Sequence, residues 1–176
     1  MRYADGPSTR CEVPIEAPPA RVWELVTDIE LPARLSPELQ RVHWLHGATG
    51  PAVGARFIGH NQHPALGEWS TTSQVVELDP QRVFAWAVLS SDAGFGADEA
   101  QAPQPMATWR FELEAVAGGT HLWQSAQLGP APSGLSCAID RMPDKEDKIV
   151  ARRIAEVRTG IEATLDGIKA AAEQSR

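Results

Sequence analysis

The chain has 176 residues, 43% hydrophobic and 22% charged, a globular rather than disordered composition that fits one domain over residues 1–176, its core at about 8–173. Sixteen Lys and Arg against 23 Asp and Glu leave a net charge of −7, which argues against a nucleic-acid surface. The apolar run over residues 83–89 is far short of the roughly 20 residues of a membrane helix, so no membrane insertion is expected. The opening Met1-Arg2-Tyr3-Ala4-Asp5 lacks an apolar signal core, which predicts a cytoplasmic protein. Two cysteines, Cys11 and Cys137, make neither a disulfide framework nor a zinc site.

Residues 9–16 read as the first strand. Cys11, Val13 and Ile15 alternate with Arg10, Glu12 and Pro14, the period of a half-buried strand. Pro14 cannot donate to a ladder, which suits an outer position. Pro18-Pro19 opens a helix, since proline is tolerated in a first turn, and Val22, Leu25, Val26 and Ile29 share one helical face. A second short helix over residues 31–35 stops before Ser36-Pro37, because the residue before proline avoids the helical region.

Six strand-like runs follow, over residues 39–45, 55–63, 68–78, 82–89, 106–113 and 120–128. The last two form a hairpin across Ala117-Gly118-Gly119. Phe84, Trp86 and Val88 share a face, as do Trp109, Phe111 and Leu113, while Thr108, Arg110 and Glu112 point away. One apolar and one wet face describe an antiparallel sheet covered on one side. Residues 91–105 and 129–134, rich in Ala, Gly, Gln and Pro, read as mobile loops.

The last element is a long helix, with Asp144 as its expected N-cap and Asp147 in its first turn. Val150, Ile154, Val157, Ile161, Leu165, Ile168 and Ala172 recur every three or four residues. That is an amphipathic helix of about 30 residues, roughly 45 Å long. It is the one element long enough to cover the apolar face of the sheet.

Strand, two short helices, six strands and a long helix is the element order of the START-like, or Bet v 1-like, helix-grip fold. The residues resemble the polyketide cyclase/dehydrase branch of that superfamily, the bacterial SRPBCC proteins. The resemblance lies in Ala17-Pro18-Pro19-Ala20-Arg21-Val22-Trp23, Val53-Gly54-Ala55-Arg56-Phe57 and Glu68-Trp69-Ser70. Val75-Val76-Glu77-Leu78, Thr108-Trp109-Arg110-Phe111 and Gly119-Thr120-His121-Leu122 carry it further. It implies an α+β fold in which a seven-stranded curved antiparallel sheet wraps the C-terminal helix and leaves an internal cavity. It also implies binding of a lipid-, sterol-, hormone- or polyketide-like molecule, in some members with catalysis. A fold does not choose among these.

Candidate site residues follow from alternation. If Phe57 faces the helix, so do Gly59, Asn61 and His63. Trp69, Thr71, Ser73 and Val75 line one face of the next strand, and Leu122, Gln124, Ala126 and Leu128 one face of the last. Asn61 and Gln124 are inward amides able to fix a ligand carbonyl or hydroxyl; the competing reading pairs them with backbone or a buried water. Trp69, Trp86 and Trp109 offer flat surfaces to an aromatic ligand, or simply pack the core. Ile154, Val157 and Ile161 are expected to close the cavity from the helix. Trp123 falls on the opposite face, an exposed indole.

His43/His46 and His60/His63 have H-x-x-H spacing, but three residues along a strand is a change of face, so neither pair chelates a metal. No phosphate loop, nucleophile elbow or cofactor motif is present, so no cofactor is expected. The expected function is binding of a small hydrophobic or aromatic ligand. The alternative is a polyketide cyclase or dehydratase, for which the candidates that could transfer a proton are His63, Glu68 and Arg153. A third class, a protein-interaction module, would need a large exposed apolar patch.

Overall fold

The computed structural model describes residues 1–64, 67–91, 95–96 and 104–174. Period-two runs form the strands β1 (Ser8–Ile15), β2 (Leu39–Trp44), β3 (Arg56–His63), β4 (Gly67–Asp79) and β5 (Val83–Ser91). A two-residue strand β6 (Phe95–Gly96), then β7 (Ala107–Val116) and β8 (Gly119–Leu128), complete the set. The seven long strands make one antiparallel sheet in the order β1-β8-β7-β5-β4-β3-β2, with β6 paired to β5. β6 lies inside the stretch read from sequence as a loop; residues 92–94 and 97–103 of that stretch fall outside the described residues.

The helices are α1 (Pro19–Thr27), α2 (Leu31–Leu35), α3 (Gly134–Arg141) and α4 (Glu146–Glu173). The 28-residue α4 lies along β1 and touches β8, α1 and α2. Val150, Val157, Ile161, Leu165, Ile168 and Ala172 are buried, as their spacing requires. All of them but Val150 meet Val22 and Val26 of α1 and the inward residues Ile15, Val75, Phe84, Phe111 and Leu122 of the sheet in one core.

Two glycines mark close approaches. A Cβ on Gly119 would lie 2.1 Å from the carbonyl oxygen of Ile15, so only glycine lets the hairpin end abut β1. A Cβ on Gly167 would lie 2.5 Å from Leu35 Cδ2, so α2 seats its last leucine in the groove where α4 has no side chain.

Three local expectations are corrected. The hairpin turn is Ala117-Gly118, and Gly119 already pairs with Val116 as the first residue of β8. Asp144 does not cap α4; it sits in a 3-10 turn, Pro143–Lys145, and the N-cap is Lys145. The proline starts that tighter turn, which displaces the helix start to Glu146. The end of the 129–134 segment is not loop: Ser133 caps and Gly134 begins the helix α3, with Ser133 and Ser136 joined through reciprocal hydrogen bonds.

Candidate functional site

The inner face of the sheet changes character along its strands. At one level of the ladder Phe84, Phe111 and Gln124 lie side by side and are 1%, 1% and 4% exposed, a filled core. One step along each strand, Trp86 on β5 lies opposite Trp109 on β7, and Trp109 opposite Ala126 on β8. These two strands are central in the sheet, yet both indoles are only half-buried. Their rings are parallel, 7° apart in plane with centroids 6.2 Å apart. Phe57 meets the edge of Trp86 at 6.2 Å, and Trp44 meets Phe57 at 5.6 Å. The inner face thus carries a continuous aromatic wall from β2 to β7 that keeps accessible surface. Such a wall offers stacking and edge contacts to a flat apolar molecule.

The polar groups on this face are few. Asn61 is half-buried, opposite Trp69 on β4 and Leu39 on β2. Its Nδ2 donates to the Gly59 carbonyl at 3.5 Å, the limit of a hydrogen bond. Thr71, half-buried, lies opposite Gly59. Gln124 is 4% exposed, and its Oε1 is buried without a hydrogen-bond partner. Across from Gln124 stands Cys11, whose thiol is pushed above its ordinary pKa by burial, against the pull of Arg158.

From the helix, Val157 and Ile161 are buried and Ile154 is half-buried. Arg153 grips Glu38, which precedes β2, with a two-pronged contact at 3.2 and 3.3 Å, and also reaches Glu156 at 3.5 Å. Burial works against its charge, but Glu38 and Glu156 hold the guanidinium above its usual range. The pair ties α4 to the α2–β2 connection, a contact that no local pattern in the sequence announces. His63 lies at the end of β3 opposite Gly67, half-buried. Glu68 is exposed and pairs with Gln62, in register with the outward series of β4. The three proton-transfer candidates are therefore held on different elements: the end of β3, the outward series of β4 and the flank of α4.

Trp123 corrects another expectation. It does face outward, but it is half-buried and not a bare indole. His121 stacks on it at 4.2 Å, Arg10 covers it at 5.1 Å, and its Nε1 donates to Glu12. Arg110, also outward, is bound to Glu77 on β4. The outward rings of His43 and His60 stack at 5.6 Å. Two concavities on the surface hold none of the predicted site residues. One, of about 460 Å³, is lined by Leu45, His46 and Arg56; the other, of about 370 Å³, by Ala17, Pro18 and Val116. Both open widely to solvent. Among the described residues no helix is long and apolar enough to cross a membrane.

The family described as polyketide cyclase/dehydrase and lipid transport matches this chain over residues 7–173. A polyketide-cyclase-like protein from Corynebacterium glutamicum, solved in solution, is 30% identical with a TM-score of 0.62, over 92% of this chain and 88% of that one. The Zhui aromatase/cyclase from a Streptomyces species is 17% identical with a TM-score of 0.63, over 96% and 94%. Ara h 8.0201 is 16% identical with a TM-score of 0.59, over 96% and 99%; the last two likenesses concern the fold. No curated protein matches. The chain belongs to the polyketide cyclase/dehydrase and lipid transport family and has the helix-grip α+β fold.

Proposed function

We propose that this member of the polyketide cyclase/dehydrase and lipid transport family binds a flat, uncharged, largely aromatic molecule between the aromatic wall of the sheet and α4. The observation that carries the reading is the pair Trp86 and Trp109, inward on central strands and yet not fully covered. In a filled core, rings so placed would be covered, as Phe84 and Phe111 are. Phe57, Trp69, Trp86 and Trp109 supply apolar contact area, Asn61, Thr71 and Gln124 the few polar contacts, and Ile154, Val157 and Ile161 the opposite wall.

Binding is favoured over catalysis by the positions of the proton-transfer candidates. A cyclase or dehydratase needs a group that polarises a ketone and another that moves a proton, both at the same ligand atoms. Arg153 is committed to Glu38, Glu68 is outward and exposed, and His63 is at a strand end. The family's cyclase activity is therefore the alternative reading for this chain.

The test is displacement of a fluorescent probe, 1-anilinonaphthalene-8-sulfonate, by naphthalene, together with the melting temperature. Naphthalene should displace the probe and raise the melting temperature through linkage. Trp86→Leu and Trp109→Leu should each weaken naphthalene several-fold. Absence of displacement and of a thermal shift in the parent would overturn the reading.

A further inference from the structure

Gln124 sits in surroundings that do not explain a glutamine. Its neighbours across the ladder are Cys11 on β1 and Phe111 on β7. Its inward neighbours on β8, Leu122 and Ala126, are 0% and 2% exposed. The Cys11 thiol points its proton toward Glu162, 3.9 Å away, and not to the amide. Gln124 Oε1 is left buried and unpaired. An amide oxygen in that condition is a net cost to the fold, and a methionine would fill nearly the same space without it. The residue is also one step along β8 from Ala126, the position opposite Trp109. The orphan acceptor therefore borders the aromatic wall.

We infer that the molecule bound against Trp86 and Trp109 carries a neutral hydroxyl at its deepest end, donating to Gln124 Oε1. The inference rests on the binding reading above and narrows its ligand class to hydroxylated aromatic compounds. A cationic donor does not fit, because an ammonium among Phe111, Leu122 and Ala126 would be stripped of water beside apolar groups.

The test compares three probes of one ring system: naphthalene, 2-methoxynaphthalene and 2-naphthol. Burial alone favours the two that carry no donor, since removing a hydroxyl from water is costly. The parent should nevertheless bind 2-naphthol about tenfold or more tighter than either. Gln124→Met should erase that preference by bringing 2-naphthol affinity down to that of naphthalene measured on the same variant, with the melting temperature at or above the parent's. Gln124→Asn, an amide one methylene short, should lose most of the preference and carries the comparison if the methionine variant folds poorly. If the parent binds naphthalene but prefers it to 2-naphthol, or if both variants keep the preference, the hydroxyl assignment is wrong and the binding reading stands. If the parent binds none of the three, the binding reading itself falls.

Discussion

Replacing Gly160 and Gly167, two turns apart on one flank of α4, should shift stability in opposite directions. Both lie inside the helix, where glycine is about 0.8–1.0 kcal/mol less favourable than alanine. A Cβ on Gly160 would meet nothing within 4 Å. Gly160→Ala should therefore keep nearly the whole propensity gain, about 1 kcal/mol, or roughly 2–4 °C in melting temperature for a chain of this size. A Cβ on Gly167 would stand 2.5, 2.6 and 3.0 Å from Leu35 Cδ2, Cδ1 and Cγ. Carbon atoms settle at about 3.5–4.0 Å, so the whole leucine branch must move, and with it the seat of α2. Overpacking of that kind costs about 1–3 kcal/mol. Set against the propensity gain, Gly167→Ala should be neutral to about 2 kcal/mol destabilising. Urea denaturation of the parent and both variants reads the difference, provided the m-values agree. If Gly167→Ala stabilises as much as Gly160→Ala, the packing of α2 on α4 described above is wrong. If Gly160→Ala destabilises clearly, the flank beside Arg153 is not open.

Two further outcomes follow from the Tyr3 and Arg153 contacts. The Tyr3 hydroxyl donates to the Ala131 carbonyl at 2.6 Å, and burial pushes its pKa up, against a smaller lowering by Ser133. The unfolded chain therefore gives up this proton first, so the bond's stabilisation is present below about pH 10 and is lost as pH rises beyond it. Tyr3→Phe should cost about 1 kcal/mol at pH 7 and should flatten the alkaline fall in stability; an unchanged alkaline limb would refute the assignment. Arg153→Met should lower stability by about 1 kcal/mol or less, since both partners keep 28% of their side chains exposed. A loss of several kcal/mol, seen by the same denaturation, would show that the Glu38 clamp is worth more than a partly exposed ion pair.

The parts of this fold visible in the sequence are those written in periodicity. Alternation in residues 9–16 and 106–113 marks β1 and β7 with the correct faces, because each has one apolar side; β5 is apolar on both sides, with Ala85 and Ala87 buried as well as Phe84. The three-and-four spacing from Val150 to Ala172 marks the buried stripe of α4 for the same reason. What stays hidden depends on partners far along the chain. Arg10 and Glu12, which enclose Trp123, come from β1 at the other end of the sequence. Glu38, which engages Arg153, precedes β2. Alternation puts Gln124 on the inner face, but only the ladder partners Cys11 and Phe111 leave its oxygen unpaired. The short helix α3 is missed because its cap is a pair of serines and its eight residues bury none fully.

The account stands on where the ligand sits, and photolabelling reads that directly. Purified protein would be irradiated with a 2-azidonaphthalene probe, digested, and the modified residues mapped by mass spectrometry, with and without excess naphthalene. The account predicts labels on the inner face, at or beside Trp86 and Trp109 and on the facing turns of α4 around Ile154, Val157 and Ile161, all suppressed by naphthalene. Labels confined to outward positions, such as Trp123 or the surface concavity at Leu45 and Arg56, would contradict it.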